Sequence, residues 1–214
     1  MEGVFKFLDR PVNARAKVAI AVKRNVDNST HIGILHVQSG SELLLHLEWH
    51  CRLTSEAPTE DWLVVNLKIN KDRLTQVAAK CRQVLGANAR GGIPYGFSEP
   101  NDCFDIRDGH YLFGPTKHGL TCSSFVVAIF RYAGVNLVQS NTWPNRSEDA
   151  IYQAQLVARL IETNVDADHV DFVRTLVGAI RYRPEEVAGA ATIKGLPAHF
   201  DQATPPSLEI LALI

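Results

Sequence analysis

The stretch HGLTCSSFVVAIFRYAG, residues 118–134, decides how this chain is read. Phe125, Val126, Ile129, Phe130 and Ala133 recur at three- and four-residue steps and mark one apolar helical face. Gly134 follows where a helix end favours glycine. Cys122 therefore falls in the first turn of the predicted helix. There the unpaired N–H groups and the positive end of the backbone dipole favour thiolate, the nucleophilic form. Burial as an inert thiol is the commoner fate of a free cysteine, so a nucleophilic Cys122 needs a base beside it.

Eight histidines could supply that base, and strand parity sorts them. THIGILHV (30–37) and LLLHLEWH (43–50) alternate as half-buried strands, and the turn-rich QSGSE between them predicts a hairpin or meander. KVAIAVK (17–23) and WLVVNLKI (62–69) read as further strands. His31 opens its strand with Gly33 on the same face, leaving room beside the imidazole for a second group, while His36 points the other way. On the next strand His46, Glu48 and His50 share one face and Leu45, Leu47 and Trp49 the other. An antiparallel partner would set His46 beside His31, where it can orient the ring and fix its tautomer. Glu48 is the rival for that role, and a merely solvated polar face is the plain alternative.

The remaining candidates are weaker. His169, in DADHVDFV, follows helical spacing and reads as a solvated helix residue, and His110 and His118 fall in a loop. Cys103 is flanked by acids that oppose thiolate formation, Cys51 has only His50 beside it, and Cys81 sits on an apolar helical face.

Outward from these residues, periodicity predicts a helix from Lys71 that ends near Gly86. A long loop rich in Gly, Pro, Asn and Asp then runs over 87–119. Helices are expected near 147–163, 169–181 and 184–192, with a loop-like tail from Pro197. The fold class is α+β, a small antiparallel sheet packed on helices. Residues 1–140 form the core and 141–214 a helical C-terminal extension on the same domain.

The composition narrows the function. Twenty-two Lys and Arg against 23 Asp and Glu give a net charge of -1, which offers nothing to attract nucleic acid. No run approaches the roughly 20 apolar residues of a membrane span, so no integral membrane segment is expected. The amino-terminal stretch lacks the apolar run of a secretory signal, which implies synthesis in the cytoplasm. Four cysteines without tight spacing read as reduced thiols, and with no CxxC pair no metal site is expected.

TCSSFVVAIFRYAGVNL resembles the nucleophile helix of NlpC-type cysteine peptidases, and GGIPYGF (91–97) resembles their glycine-proline-tyrosine segment. Histidine precedes cysteine here. That is the order of circularly permuted papain-like proteins, including the lecithin:retinol acyltransferase-like branch. The resemblance implies a papain-like fold with Cys122 as nucleophile, His31 as general base and His46 as orienting residue. It puts Tyr95, Thr121 and Ser123 near the oxyanion or substrate. It also implies cleavage of an amide bond without a cofactor, in a peptide-containing substrate such as a peptidoglycan stem peptide. Thr121 stands where many relatives have Asp or Asn, Ser124 replaces the usual Gly, and the 94–122 interval is long. Lipid or protein acyl transfer, thioester hydrolysis, or an inactive interaction module stay open. A cell-wall substrate without an export signal implies an antibacterial effector. Type VI-like secretion machinery would deliver it to a target-cell periplasm, and an immunity protein would be its partner.

Overall fold

The computed structural model describes residues 2–9, 17–114 and 116–214. Among them six strands form one antiparallel sheet: β1 (Val4–Lys6), β2 (Val18–Arg24), β3 (Thr30–Gln38), β4 (Ser41–Trp49), β5 (Arg52–Glu56) and β6 (Leu63–Asn66). Their order across the sheet is β1-β6-β2-β3-β4-β5. Six α-helices accompany it: α1 (Lys71–Asn88), α2 (Cys122–Tyr132), α3 (Ser147–Glu162), α4 (Ala167–Thr175), α5 (Pro184–Ala191) and α6 (Phe200–Leu213). The class is α+β.

Alternation in β2, β3 and β4 gives the sheet two unlike faces. Val18, Ile20, Val22, Ile32, Ile34, Leu45 and Leu47 point to one side and merge into the main core with α1, α2 and α5. Ala19, Ala21, Leu35 and Leu44 point to the other, where Phe7, Val64 and Trp62 cover them. Helix α2 is buried along most of its length, from Cys122 to Phe130, so the sheet fixes its position and the thiol at its tip. The long loop before it carries one isolated bridge, Phe104 to Tyr111.

Several boundaries differ from the sequence expectation. Helix α1 runs through Gly86 to Asn88, whose amide donates to Val84 O (2.8 Å) and Gly109 O (2.9 Å). Helix α4 starts earlier, at Ala167, because Asp166 caps it by accepting from the Asp168 and His169 N–H groups; it also ends earlier, at Thr175. The tail expected as loop contains α6, despite Pro205 and Pro206 inside it. Proline in a helix interior costs about 3 kcal/mol or more. Tertiary packing offsets that cost: Ala203, Ser207 and Ile210 are buried, and Gly189 of α5 lets the α6 backbone approach until a Cβ there would lie 2.6 Å from Ala203 O. No helix of the described residues is long and apolar enough to cross a membrane.

Candidate active site

Thr121 fixes the start of α2. Its Oγ1 accepts from the Ser124 N–H (3.1 Å) and Ser124 Oγ accepts from the Thr121 N–H (2.8 Å), a reciprocal capping box. Phe125 N–H donates to Thr121 O. The Cys122 N–H meets the Tyr95 hydroxyl oxygen, and among the described residues the Ser123 N–H has no partner, so the helix tip directs two donors to the region beside the sulfur. Thr121 and Ser123 themselves stay out of the adjoining cleft. The first spends its hydroxyl on the cap, and the second is buried with Oγ 4.0 Å from Cys122 Sγ.

The two imidazoles come from the sheet. Strand β3 pairs with β4 in a register that ends regularly at Ile34–Leu45, and continuing it sets Gly33 opposite His46. A Cβ on residue 33 would stand 2.9 Å from His46 Cβ, so only glycine leaves room for that imidazole. His46 then reaches diagonally to both neighbouring strands. Its Nδ1 lies 2.9 Å from His31 Nε2 on β3, and its Nε2 lies 3.3 Å from Glu56 Oε1 on β5. Trp62 backs both rings, with its centroid 5.9 Å from each.

This chain of contacts fixes the proton positions. A carboxylate only accepts, so His46 carries its proton on Nε2 and offers the Nδ1 lone pair to His31 Nε2–H. His31 therefore holds its free lone pair on Nδ1, the one ring nitrogen left for a thiol. Burial lowers the His31 and His46 pKa values to about 4. Lys23, the cross-strand partner of His31, adds to the first shift, and Glu48 and Glu56 oppose both. Glu48 sits on the exposed rim, where Thr54 Oγ1 donates to it at 3.1 Å and Arg52 pairs with it at 3.0 Å.

Cys122, His31, His46, Glu56 and Tyr95 line one cleft of about 740 Å³. The sulfur meets the Ile32 N–H and the Tyr95 hydroxyl, while the His31 ring bonds His46 rather than the sulfur. Burial raises the thiol pKa. The Ser123 hydroxyl, the Ile32 N–H, Tyr95 and the Arg181 charge pull it the other way. The resting site therefore holds a thiol and neutral imidazoles, where the helix tip alone would suggest a thiolate. Arg181 is held by Asp149 (3.1 Å), with its guanidinium 3.6 Å from the Tyr152 ring centroid.

Sequence reasoning missed the members whose roles need tertiary contacts. Glu56 sits on a polar edge strand whose RLTSE stretch carries little apolar alternation. His169, expected in solvent, is fully buried because α4 packs against the loop that carries Tyr95. Its Nε2–H donates to Tyr95 O (2.9 Å), and the Tyr95 N–H donates to His50 Nδ1 (3.3 Å). Tyr152, Leu156 and Arg159 of α3 form the far wall of the cleft. His110 and His118 are not among its lining residues.

Burial pushes the Cys81 and Cys103 thiols to about 12, and it raises Cys51 as it raises Cys122. Among the described residues no group of three or more His, Cys, Asp or Glu side chains converges as a metal site. No family model, curated protein or solved structure matches the chain.

Proposed function

We propose that the chain is a cysteine hydrolase of the permuted papain-like, NlpC-type kind that cleaves an amide bond in a peptide-containing substrate, with peptidoglycan stem peptides as the first class to test. The observation that carries this reading is the Glu56–His46–His31 chain, which opens on the same cleft as a thiol at a helix tip. No cofactor enters the proposed chemistry.

His31 Nδ1 takes the thiol proton as the sulfur attacks the carbonyl carbon, and the imidazolium that forms is stabilised through His46 by Glu56. The oxyanion takes the place of the Tyr95 oxygen at the Cys122 N–H and is received by that group, by the Ser123 N–H and by the Tyr95 O–H. His31 returns the proton to the leaving amine as the C–N bond breaks. It then takes a proton from water, which attacks the thioester and releases the acid and the thiol. Because both resting groups are neutral, proton transfer accompanies attack instead of preceding it.

One observation favours a second reading, a noncatalytic interaction module: burial raises the thiol and the His31 ring bonds His46 in place of the sulfur. The two readings part in one experiment. Purified cell-wall fragments incubated with the full chain are weighed by mass spectrometry. The hydrolase yields a defined cleavage product that Cys122→Ala and His31→Ala fail to make, whereas the module leaves every fragment unchanged. Delivery to a neighbouring cell by type VI-like machinery, with an immunity protein in the producer, accompanies this substrate. Its test is growth arrest on periplasm-directed expression that Cys122→Ala abolishes.

A further inference from the structure

Among the described residues three cations line the cleft, and two of them lie within hydrogen-bond distance of a carboxylate: Lys23 with Asp61 and Arg52 with Glu48, each at 3.0 Å. Arg159 is different. It pairs only loosely with Asp27, whose Oδ2 stands 3.8 Å from its Nη1, beyond hydrogen-bond reach, while the other oxygen, Oδ1, accepts from the N–H and hydroxyl of Ser29. Among the described residues no hydrogen bond uses the guanidinium of Arg159, which is more than half exposed. It is also held in place. The group lies 5.0 Å from the Trp49 ring centroid, and Trp49 stacks on Tyr95 at 4.8 Å with their planes 34° apart. Since the Tyr95 hydroxyl meets the sulfur, a continuous shelf leads from Cys122 over Tyr95 and Trp49 to an oriented fork whose donors make no hydrogen bond among the described residues.

A planar guanidinium with open N–H groups is matched to a carboxylate, which it binds through two parallel hydrogen bonds. An extended residue spans about 3.3 Å, so the two stacking steps, from the Tyr95 ring to Arg159, correspond to about two or three residues of a peptide lying along the shelf, and the group held at Cys122 takes up the reach from that ring to the sulfur. We propose that Arg159 is the carboxylate-binding residue of this cleft, and that its ligands are peptide-like chains with a carboxylate about two or three residues from the group held at Cys122. The inference rests on the hydrolase reading only in placing the reacting bond at the sulfur. Asp27 is the competitor that an incoming carboxylate displaces.

The test uses affinity labels on the full chain: bromoacetyl-glycine peptides of one to four glycines, each as free acid and as carboxamide. The Cys122 sulfur forms a bond to the bromoacetyl carbon while bromide and the thiol proton leave, so labelling needs no hydrolysis. Peptide mapping reads the rate at Cys122, with the half-buried Cys51 as internal control. The acid should outrun its amide about tenfold at two or three glycines, with the preference smaller at one and four. Arg159→Gln should bring the ratio to that of Cys51, Arg159→Lys should keep only the smaller part owed to charge, and about 1 M salt should compress it.

Equal rates for acid and amide at every length, or a preference that survives Arg159→Gln, would overturn the assignment. Loss of acid preference while cell-wall fragments are still cleaved refutes the role of Arg159 alone. Acid-preferring labels with no fragment cleaved sustain that role and refute the hydrolase reading.

Discussion

His31 Nε2 lies 2.9 Å from His46 Nδ1, a contact made diagonally between adjacent strands and continued to Glu56 on the next. His46 and Glu56, on two further strands, thus set the tautomer of His31. His46→Ala is expected to lower kcat by about 10²-fold, because the ring of His31 loses both its orientation and its proton partner. Glu56→Gln is milder, about tenfold, since the carboxylate is half exposed. The pH profile carries the sharper signature. The Glu56 charge raises the His31 and His46 pKa values, so its removal should move the acid limb of kcat/KM below its wild-type position near pH 4. An unmoved limb would detach Glu56 from the proton path.

Iodoacetamide should modify Cys122 slowly at neutral pH and progressively faster as the pH passes about 9, since burial places the thiol above that value. Cys81 and Cys103 should lag behind it, because burial takes both to about 12. Mapping of the alkylated peptides across pH measures this order. A Cys122 already fully reactive near pH 6 would mean a preformed thiolate.

Gly33→Ala should disable the site without touching any group in it. The added methyl meets His46 Cβ and Leu44 Cδ1 at 2.9 Å and Leu45 O at 3.0 Å, so β4 must shift or the imidazole must turn away. Overpacking of this kind costs about 1–3 kcal/mol, and the loss of activity should exceed what the stability change explains. Urea denaturation and turnover, measured on the same preparation, check the two effects separately.

Acid should destabilise the fold earlier than its carboxylates alone would. His36 is fully buried, among the described residues neither ring nitrogen has a hydrogen-bond partner, and burial together with the Arg82 charge lowers its pKa from 6.5 to about 4. The unfolded chain then binds more protons than the folded one between those two values. The His36 contribution is complete above about pH 6.5 and is lost as the pH falls toward 4. His36→Leu should leave stability at neutral pH equal or higher and flatten the slope in that window by up to about 1.4 kcal/mol per pH unit. Denaturant midpoints at several pH values give the comparison.

Gly189→Ala should loosen α6 from α5. Its Cβ would lie 2.6 Å from Ala203 O and 2.9 Å from the Ser207 N, both backbone atoms that cannot rotate aside. A lowered melting temperature, with hydrogen exchange rising first over residues 200–213, is the expected result.

The helix with Cys122 at its tip and the strands of His31 and His46 were legible in sequence, because long apolar periodicity and strict alternation leave little room for another reading. Gly33 could be linked to the imidazoles for the same reason, since parity alone puts it on their face. Helix α6 was hidden by its two prolines, whose cost is offset by packing on a residue distant in sequence. Glu56 and His169 were invisible for a related cause. One lies on a polar edge strand and the other on a helix whose burial depends on a loop, and neither environment leaves a local pattern.

The backbone of Tyr95 is gripped on both sides, by His50 after β4 and by His169 on α4, while the neighbouring Gly96 N–H and Pro94 O bond Leu120 at the entrance to α2. Cys122 and His31 are thus both translated before the last jaw of that grip, His169, which lies 47 residues beyond Cys122. A growing chain that has reached Cys122 owns a sulfur but lacks the anchored phenol beside it. On the proposed mechanism, competence to react would arrive only when α4 closes over the loop, tying the onset of chemistry to the completion of folding.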